Sequence, residues 1–245
     1  MSNNNKNNNN NNIDLYPEIK IQHVSEDDNF FENPDLLFKI IIIGNAGVGK
    51  SCLSYYASSK KFLENYKPTL GFEYYKYNAI IDNLKIRLQI FDTCGQEIYN
   101  SLIRNFYKNT GLAIIVYSID DYNSFKGVDN WIKQLKLYAN PDIHIFLIGN
   151  KNDLTNREVT YEEGENYKNE YKLNIFMEAS AKNGFNVENI FDNAIKILYV
   201  KYKKFKDFSG VCRNIIKDDD ADMENIKLDT KKLIKKNKKK IKCCF

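Results

Sequence analysis

An eight-residue run at positions 44–51, GNAGVGKS, is the feature that most constrains the fold of this 245-residue chain. It follows an apolar segment, residues 36–43, that is typical of a buried β-strand, and a segment with helical character comes next. Glycines let backbone N–H groups converge on an anion, and the positive end of a helix dipole adds to the attraction. Lys50 can contact β- and γ-phosphate oxygens, and the Ser51 hydroxyl can bind Mg²⁺.

The strand, the spacing and the Lys-Ser pair together predict a phosphate-binding loop rather than a glycine-rich turn without a ligand. The residues expected to contact the nucleotide here are Gly44, Asn45, Ala46, Gly47, Val48, Gly49, Lys50, Ser51 and Cys52. A small-molecule kinase with the same loop is disfavoured, because it would leave the segment at residues 150–153 without a role.

That segment, NKND, indicates which base is bound, since it follows a second apolar strand, residues 143–149. Asp153 can accept hydrogen bonds from guanine N1–H and from the exocyclic amine. Adenine lacks that amine, so a carboxylate facing it would be left unpaired, at a cost of ~1–3 kcal/mol or more. The aliphatic part of Lys151 can cover one face of the base. Downstream of a phosphate loop, the tetrapeptide predicts a guanine nucleotide, with Asn150 as a further contact.

A third polar segment, EASAK at residues 178–182, follows the apolar run 173–177 and extends the predicted base site. The backbone N–H of Ala181 is the candidate donor to guanine O6, and Ser180 and Lys182 flank that donor as further contacts. Ligands of open parallel sheets bind at the carboxyl ends of the strands, so we expect all three segments to lie together.

Two more segments carry a family resemblance. The sequence DTCGQE at residues 92–97 resembles the second switch of the Ras superfamily of small GTPases, and Thr69 resembles the first-switch threonine. The likeness covers about residues 36–203, and within the superfamily the chain is most similar to Rab proteins. The segments that carry the Rab likeness are GKSCL (49–53), RLQIFD (87–92), NWI (130–132) and the terminal CCF (243–245).

The resemblance implies GTP and GDP as ligands, Mg²⁺ as the cofactor, and defined roles for the two switches. The hydroxyls of Ser51 and Thr69 would coordinate Mg²⁺ directly, and Asp92 would do so through water. The N–H of Gly95 would contact the γ-phosphate, so that both loops relax when this phosphate leaves. Gln96 would orient the attacking water, and hydrolysis without a partner's arginine would be slow, ~10⁻⁴ to 10⁻² per second. The candidate catalytic residues are Gln96, Lys50, Thr69 and Gly95.

Two positions leave alternatives open. Phe62 either packs against the guanine edge or is an ordinary hydrophobic anchor. Cys94 stands where the family usually has alanine, directly before Gly95. It is either a small buried hydrophobic side chain or a group whose bulk or oxidation biases the switch. The second interpretation suggests another function, a GTP-binding scaffold with little hydrolysis.

Apolar segments alternate with amphipathic segments of helical length, which predicts an α/β fold of the P-loop small GTPase type. We expect a six-stranded, mostly parallel sheet with one antiparallel strand and about five helices. Asp82-Asn83 reads as the hairpin turn that makes one strand antiparallel. The predicted strands are 38–43, 73–81, 85–91, 112–117, 143–148 and 173–177. The predicted helices are 50–59, 99–108, 124–139, 161–171 and 187–203.

These elements place a GTPase domain at residues 36–205, between two extensions predicted to be disordered. Nine of the ten residues 3–12 are asparagine, so this tract in the N-terminal extension, residues 1–35, cannot bury apolar area. It also lacks the apolar region of a secretory signal. Nowhere does an apolar run approach the ~20 residues that cross a membrane.

The C-terminal extension, residues 206–245, is predicted to be a flexible linker that ends in a basic tail. Residues 231–245 contain eight lysines and no acidic residue, and no aromatic residue interrupts the lysines, so a nucleic-acid partner is not expected. Each lysine near an anionic membrane contributes ~1 kcal/mol. The resemblance to Rab termini implies geranylgeranyl groups on Cys243 and Cys244, and unmodified cysteines are the alternative.

The leading hypothesis is therefore a monomeric, lipid-anchored switch that hydrolyses GTP to GDP and recruits effectors in vesicle-mediated transport. The location implied is the cytoplasmic face of membranes, with cycling through the cytosol. The partners implied are a nucleotide exchange factor, a GTPase-activating protein, a prenyl-binding extraction factor, effector proteins and an anionic membrane surface. The alternatives are the hydrolysis-poor scaffold and a signalling GTPase of the Ras type.

Overall fold

The computed structural model describes residues 13–24, 32–64, 69, 71–94 and 106–208. Its strands are β1 (Gln22–His23), β2 (Leu36–Ile43), β3 (Phe72–Ile81), β4 (Leu84–Thr93), β5 (Leu112–Ser118), β6 (His144–Asn150) and β7 (Ile175–Glu178). Its helices are α1 (Lys50–Ser59), α2 (Tyr122–Lys126), α3 (Val128–Tyr138), α4 (Tyr161–Tyr171) and α5 (Val187–Phe208). No helix in these ranges is both long and apolar enough to cross a membrane.

The strands form one sheet in the order β1-β3-β4-β2-β5-β6-β7. From β4 to β7 all neighbours are parallel, while β3 is antiparallel to both β4 and β1. Asp82 and Asn83 have positive φ angles of 49° and 63°, as a two-residue type I′ turn requires, and the predicted hairpin is confirmed. The predicted mostly parallel α/β fold is thus confirmed.

Two hydrophobic cores cover the two faces of the sheet. One core joins the sheet to α1 and α5, through buried side chains such as Leu53, Ala57 and Phe191. The other joins it to α2, α3 and α4, and includes Phe125, Trp131 and the sheet residue Ile115. Because both faces are covered, β5 is buried along its whole length, as expected for a central parallel strand.

The predicted single helix over 124–139 is wrong, since α2 and α3 are separate helices on either side of Gly127. The helix α2 begins at Tyr122 because the Asp121 side chain accepts hydrogen bonds from the N–H groups of Asn123 and Ser124. At Gly127, a Cβ atom would lie only 2.6 Å from Asn45 Oδ1, so the phosphate loop packs directly onto the junction. The predicted helix 99–108 lies largely outside the described residues.

The six-strand count and the disordered N-terminal extension need correction. Residues 13–24, here called the N-terminal strap, lie against the domain, and β1 within the strap adds a seventh strand by pairing with β3. The strap carries apolar side chains that pack on the core, whereas the sequence of residues 3–12 contains no apolar residue. The tract at residues 1–12 and the tail at 209–245 lie outside the described residues.

Candidate guanine nucleotide site

Positive φ angles shape the loop between β2 and α1. Gly44, Gly47 and Gly49 have φ values of 145°, 79° and 94°, a region that L side chains rarely adopt. A Cβ atom on Gly44 would lie 2.1 Å from the carbonyl oxygen of Val116, and one on Gly49 would lie 2.3 Å from Asn150 Nδ2. Glycine is therefore required at both positions, because a side chain would strain the backbone and clash with the neighbouring strands. The loop thus keeps the open backbone that a phosphate needs.

Lys50 lies at the first turn of α1 with its amine folded back over this loop. Its Nζ atom donates hydrogen bonds to the carbonyl oxygens of Gly44, at 2.9 Å, and Asn45, at 2.8 Å. Burial lowers the pKa of Lys50 to about 8, although Asp92 opposes the shift. An anion in the loop would favour the charged amine, so the environment of Lys50 fits a phosphate ligand.

Three oxygen-bearing side chains from separate elements meet beside Lys50. The Ser51 hydroxyl lies 2.8 Å from that of Thr69 and donates a hydrogen bond to Asp92 Oδ2. The Thr69 hydroxyl lies 3.5 Å from the same carboxylate oxygen. Hydroxyl and carboxylate oxygens are the ligands that Mg²⁺ prefers, so the predicted metal residues are brought together.

The Asp92 carboxylate supplies the test of whether a cation fits. Asp92 is fully buried, and among the described residues its Oδ1 atom has no hydrogen-bond partner. Burial raises the pKa of Asp92 to about 7, against the opposing effects of the Ser51 hydrogen bond and the Lys50 charge. A divalent cation would stabilise the carboxylate. No cluster of three His, Cys, Asp or Glu side chains occurs in the described ranges. The oxygens of Ser51, Thr69 and Asp92 supply only part of an octahedral shell, which phosphate oxygens would complete.

Asn150 joins the phosphate loop to the base-binding segments. Its amide donates a 2.8 Å hydrogen bond to the carbonyl oxygen of Val48, and its Oδ1 accepts one from the N–H of Ala181, at 3.2 Å. Asn150 is only 1% exposed. Asn150 is thus a buried brace between the loop and the segment at residues 178–182, and its contact with the nucleotide stays a prediction.

The Asp153 carboxylate is oriented by the residues predicted to accompany it. Ser180 Oγ donates a 2.6 Å hydrogen bond to Asp153 Oδ1, and Lys182 Nζ lies 3.8 Å from Oδ2. The N–H of Lys182 in turn donates to Ser180 Oγ, at 3.2 Å. The Asp153 carboxylate is thus held beside the segment at residues 178–182, and its contact with the guanine base stays a prediction.

A sequence model of the Ras family matches residues 39–200, about two thirds of the chain. The chain belongs to the Ras family. It is therefore a small GTP-binding protein of the GTPase class, with GTP, GDP and Mg²⁺ as the ligands typical of the family. Exchange factors, activating proteins and effectors are the kinds of partner that such GTPases have in general. The phosphate loop, the oxygen cluster and the base segments all lie within the matched range.

Several predicted residues of this GTPase are not tested by the geometry. Gly95 and Gln96 lie outside the described residues, and so do Cys243 and Cys244. Phe62 is 39% exposed, which leaves its role at the guanine edge a prediction. Cys52 is half-buried, and its side chain packs against the core. This burial raises the pKa of the thiol.

Sequence reasoning missed three features of the site. Asn45 Oδ1 accepts a 2.9 Å hydrogen bond from Trp131 Nε1, which fixes the phosphate loop to α3. Asp120, which follows β5, lies 3.4 Å from Lys151 Nζ and holds the lysine beside the base segment. The position of Asp120 after a buried strand was the available signal, because that is where ligands bind.

The third missed feature is a two-point ion pair behind the base segments. Arg157 Nη2 donates to Glu178 Oε2 at 2.8 Å, and Nη1 donates both to Oε1 and to the carbonyl oxygen of Val159. The Glu178 hydrogen bond is the main cause that raises the pKa of Arg157. The pair ties the loop after Asp153 to the end of β7. Glu178 belongs to the predicted segment 178–182, but no pattern named Arg157 as its partner.

Proposed function

We propose that this small GTPase is a lipid-anchored switch of the Rab type. It binds GTP, hydrolyses it to GDP, and recruits effectors to a membrane in vesicle-mediated transport. The observation that carries the switch is the meeting of Ser51, Thr69 and Asp92, because these come from the phosphate loop, the first switch and the second switch. The Rab assignment rests on the sequence likeness and the terminal Cys243-Cys244-Phe245.

The chain's own residues supply the parts of the hydrolysis site. Lys50 holds a charge at the β- and γ-phosphates, and Asp153 orients the guanine base. Ser51 and Thr69, with Asp92 behind them, would hold Mg²⁺, which would neutralise phosphate charge. Gln96, which follows Gly95 in the segment that resembles the second switch, orients the attacking water.

The two switches are linked to one another as well as to the phosphate loop. The N–H of Cys94 donates a 3.0 Å hydrogen bond to the carbonyl oxygen of Gly71, so the end of the first switch touches the start of the second. Gly71 has a φ of 87°, which a side chain would strain. A change in Thr69 that follows loss of the γ-phosphate therefore has a short route to Cys94 and the residues after it.

Single-turnover hydrolysis of GTP tests the enzymatic part. We expect slow turnover in the wild type, strong acceleration by an activating protein that supplies an arginine, and a further loss of rate in Gln96→Leu. Ser51→Asn should favour GDP over GTP. Stable GTP occupancy without acceleration by any such protein would instead support the GTP-binding scaffold with little hydrolysis. The cysteine at position 94 is the residue that suggests this alternative.

Imaging of N-terminally tagged full-length protein in cells tests the membrane part. We expect wild-type protein on membranes and Cys243→Ser/Cys244→Ser protein in the cytosol. The control is Cys212→Ser, which changes a cysteine of the linker, leaves the terminal pair intact and should stay on membranes. An extraction factor that shields prenyl groups should solubilise only the modified protein. Mass spectrometry of the C-terminal peptide separates two geranylgeranyl groups from the different lipid ending expected for a Ras-type signalling GTPase. Unchanged location in the double variant would remove the anchor.

A further inference from the structure

The N-terminal strap lies outside the matched range 39–200, yet it is built into the domain. Its apolar side chains pack against the core on the face that carries α1 and α5. These side chains are Ile13, Leu15, Tyr16, Ile19 and Ile21. Covering apolar surface of this kind favours docking by roughly 25 cal/mol per Å² removed from water.

Helix α5 presents buried polar groups to the strap. Asn193 is 1% exposed, and its side chain accepts a 2.8 Å hydrogen bond from the N–H of Leu15 and donates a 2.7 Å one to the carbonyl oxygen of Ile13. Lys196 Nζ contacts both carboxylate oxygens of Asp14, at 2.8 and 2.7 Å. Its side chain is 8% exposed, so Asp14 is the ion-pair partner of a largely buried side chain. Without the strap, the side chains of Asn193 and Lys196 would lose these partners.

The second half of the strap joins the edge of the sheet. Gln22 and His23 pair with Ile80 and Ala79 of β3 in antiparallel register. His23 Nδ1 lies 3.3 Å from the Tyr77 hydroxyl, which donates a 2.8 Å hydrogen bond to Asp192. The strap therefore spans from α5 to β3.

Both α5 and β3 contact segments of the predicted nucleotide site. Helix α5 begins at Val187, separated by residues 183–186 from the segment 178–182 that carries Ser180 and Ala181. Asn186, just before the helix, donates a hydrogen bond to the carbonyl oxygen of Glu178. Lys60, the C-cap of α1 before the first switch, pairs with Glu188 of α5 and lies 5.2 Å above the Tyr77 ring. The strap thus touches the supports of the base segment and of the first switch.

We propose that the α5–β3 face is a peptide-docking site, that its occupant is the chain's own residues 13–24, and that this occupancy slows the release of guanine nucleotide. The inference rests on the binding of guanine nucleotide by this chain. It adds a regulatory site outside the nucleotide pocket: a partner that displaces the strap would accelerate exchange without contacting the nucleotide.

Amide hydrogen exchange and release of a fluorescent GDP analogue test the proposal on the full chain. In Asp14→Asn, Lys196 keeps a buried charge without a carboxylate, so we expect the strap amides to exchange about tenfold faster, and GDP release to be about threefold to tenfold faster. Glu165→Gln, which removes the carboxylate of the Lys168 pair on α4, is the matched control and should change neither rate. Melting curves verify that all variants are folded.

Two rescue arms make the result specific. Lys196→Met in the Asp14→Asn background removes the unpaired charge and should return both rates towards wild type. Free peptide with the sequence of residues 13–24, added to Asp14→Asn, should slow GDP release again. Unchanged strap exchange in Asp14→Asn would overturn the docking site, and faster strap exchange with unchanged GDP release would overturn the coupling. Protein that retains no guanine nucleotide at all would instead overturn nucleotide binding.

Discussion

Replacing Asn150 by alanine tests whether the site is held together by a buried brace. In the structure, one amide group joins the phosphate loop at Val48 to the base segment at Ala181. Alanine cannot replace either hydrogen bond. The variant therefore tests whether alignment of the two loops by Asn150 is needed to hold the nucleotide.

The magnitude follows from the two groups that lose their partner. The carbonyl of Val48 and the N–H of Ala181 belong to residues that are 1% and 4% exposed. A buried polar group without a partner costs ~1–3 kcal/mol, so the pair costs ~2–6 kcal/mol. In the variant, the two loops can move apart so that water reaches these two groups. Nucleotide binding then has to bring the loops back together, and this cost lowers the affinity. At ~1.4 kcal/mol per factor of ten, the loss of GDP affinity is ~30-fold at the lower end.

The assay measures GDP dissociation with a fluorescent analogue, together with melting of the Mg²⁺-GDP complex. A matched control is Asn78→Ala, because Asn78 is also buried but accepts its hydrogen bond from Arg87 on the hairpin between β3 and β4. We expect both variants to melt earlier and only Asn150→Ala to release GDP much faster. Equal release rates in the two variants would refute the brace.

Four further results are expected. Asp153→Asn should lose guanine preference and gain affinity for xanthine nucleotides, measured by competition; unchanged preference would remove Asp153 from the base site. Chelation of Mg²⁺ with EDTA should accelerate GDP release, because the Ser51, Thr69 and Asp92 cluster then loses its cation. Arg157→Met should lower the free energy of unfolding by about 3 kcal/mol, since the buried Glu178 keeps its charge, and urea denaturation measures this. The Asp192 hydrogen bond, despite burial, raises the pKa of His23. The stability that His23 contributes is therefore fully present below its unfolded pKa, ~6.5, and is lost as the pH rises through the higher folded value. The amides of the strap should then exchange faster at pH 8 than at pH 6, after correction for intrinsic exchange rates. His23→Gln should abolish this difference.

The elements that the sequence predicted well are those whose pattern is local. The helices at 50–59 and 161–171 match α1 and α4 residue for residue. The first follows three glycines that need positive φ, and the second begins with a capping box between Thr160 and Glu163. Caps and glycine turns depend on neighbours in sequence, so one sequence suffices to place them.

The junction between α2 and α3 shows where local patterns fail. The residues from Ser124 onwards have a helical pattern without a proline, which predicted one helix. The break at Gly127 matches a contact with Asn45, which is far away in the sequence and also binds Trp131. No pattern within the segment reports such a contact, and the same reason explains why the hydrogen bond from Asn150 to Val48 was missed.

The strap was missed because its neighbours dominated the composition. The asparagine tract before residue 13 made the whole extension read as disordered, although Ile19, Ile21 and His23 alternate as a short strand would. The complementary signal was in α5, where Asn193 and Lys196 interrupt an otherwise apolar face. Buried polar residues on an amphipathic helix indicate a missing partner, and here the partner is the start of the same chain.

Lys50 and Asp92 show that the site is arranged for its ligand at the expense of the fold. Burial lowers the pKa of Lys50 to about 8 and raises the pKa of Asp92 to about 7, so in both cases the folded domain disfavours the charged form. An unfolded chain would solvate both charges freely, and at neutral pH each group therefore destabilises the folded state. Phosphate oxygens beside Lys50 and a cation beside Asp92 would reverse both effects at once. A nucleotide with its metal would thus stabilise the fold through these two groups.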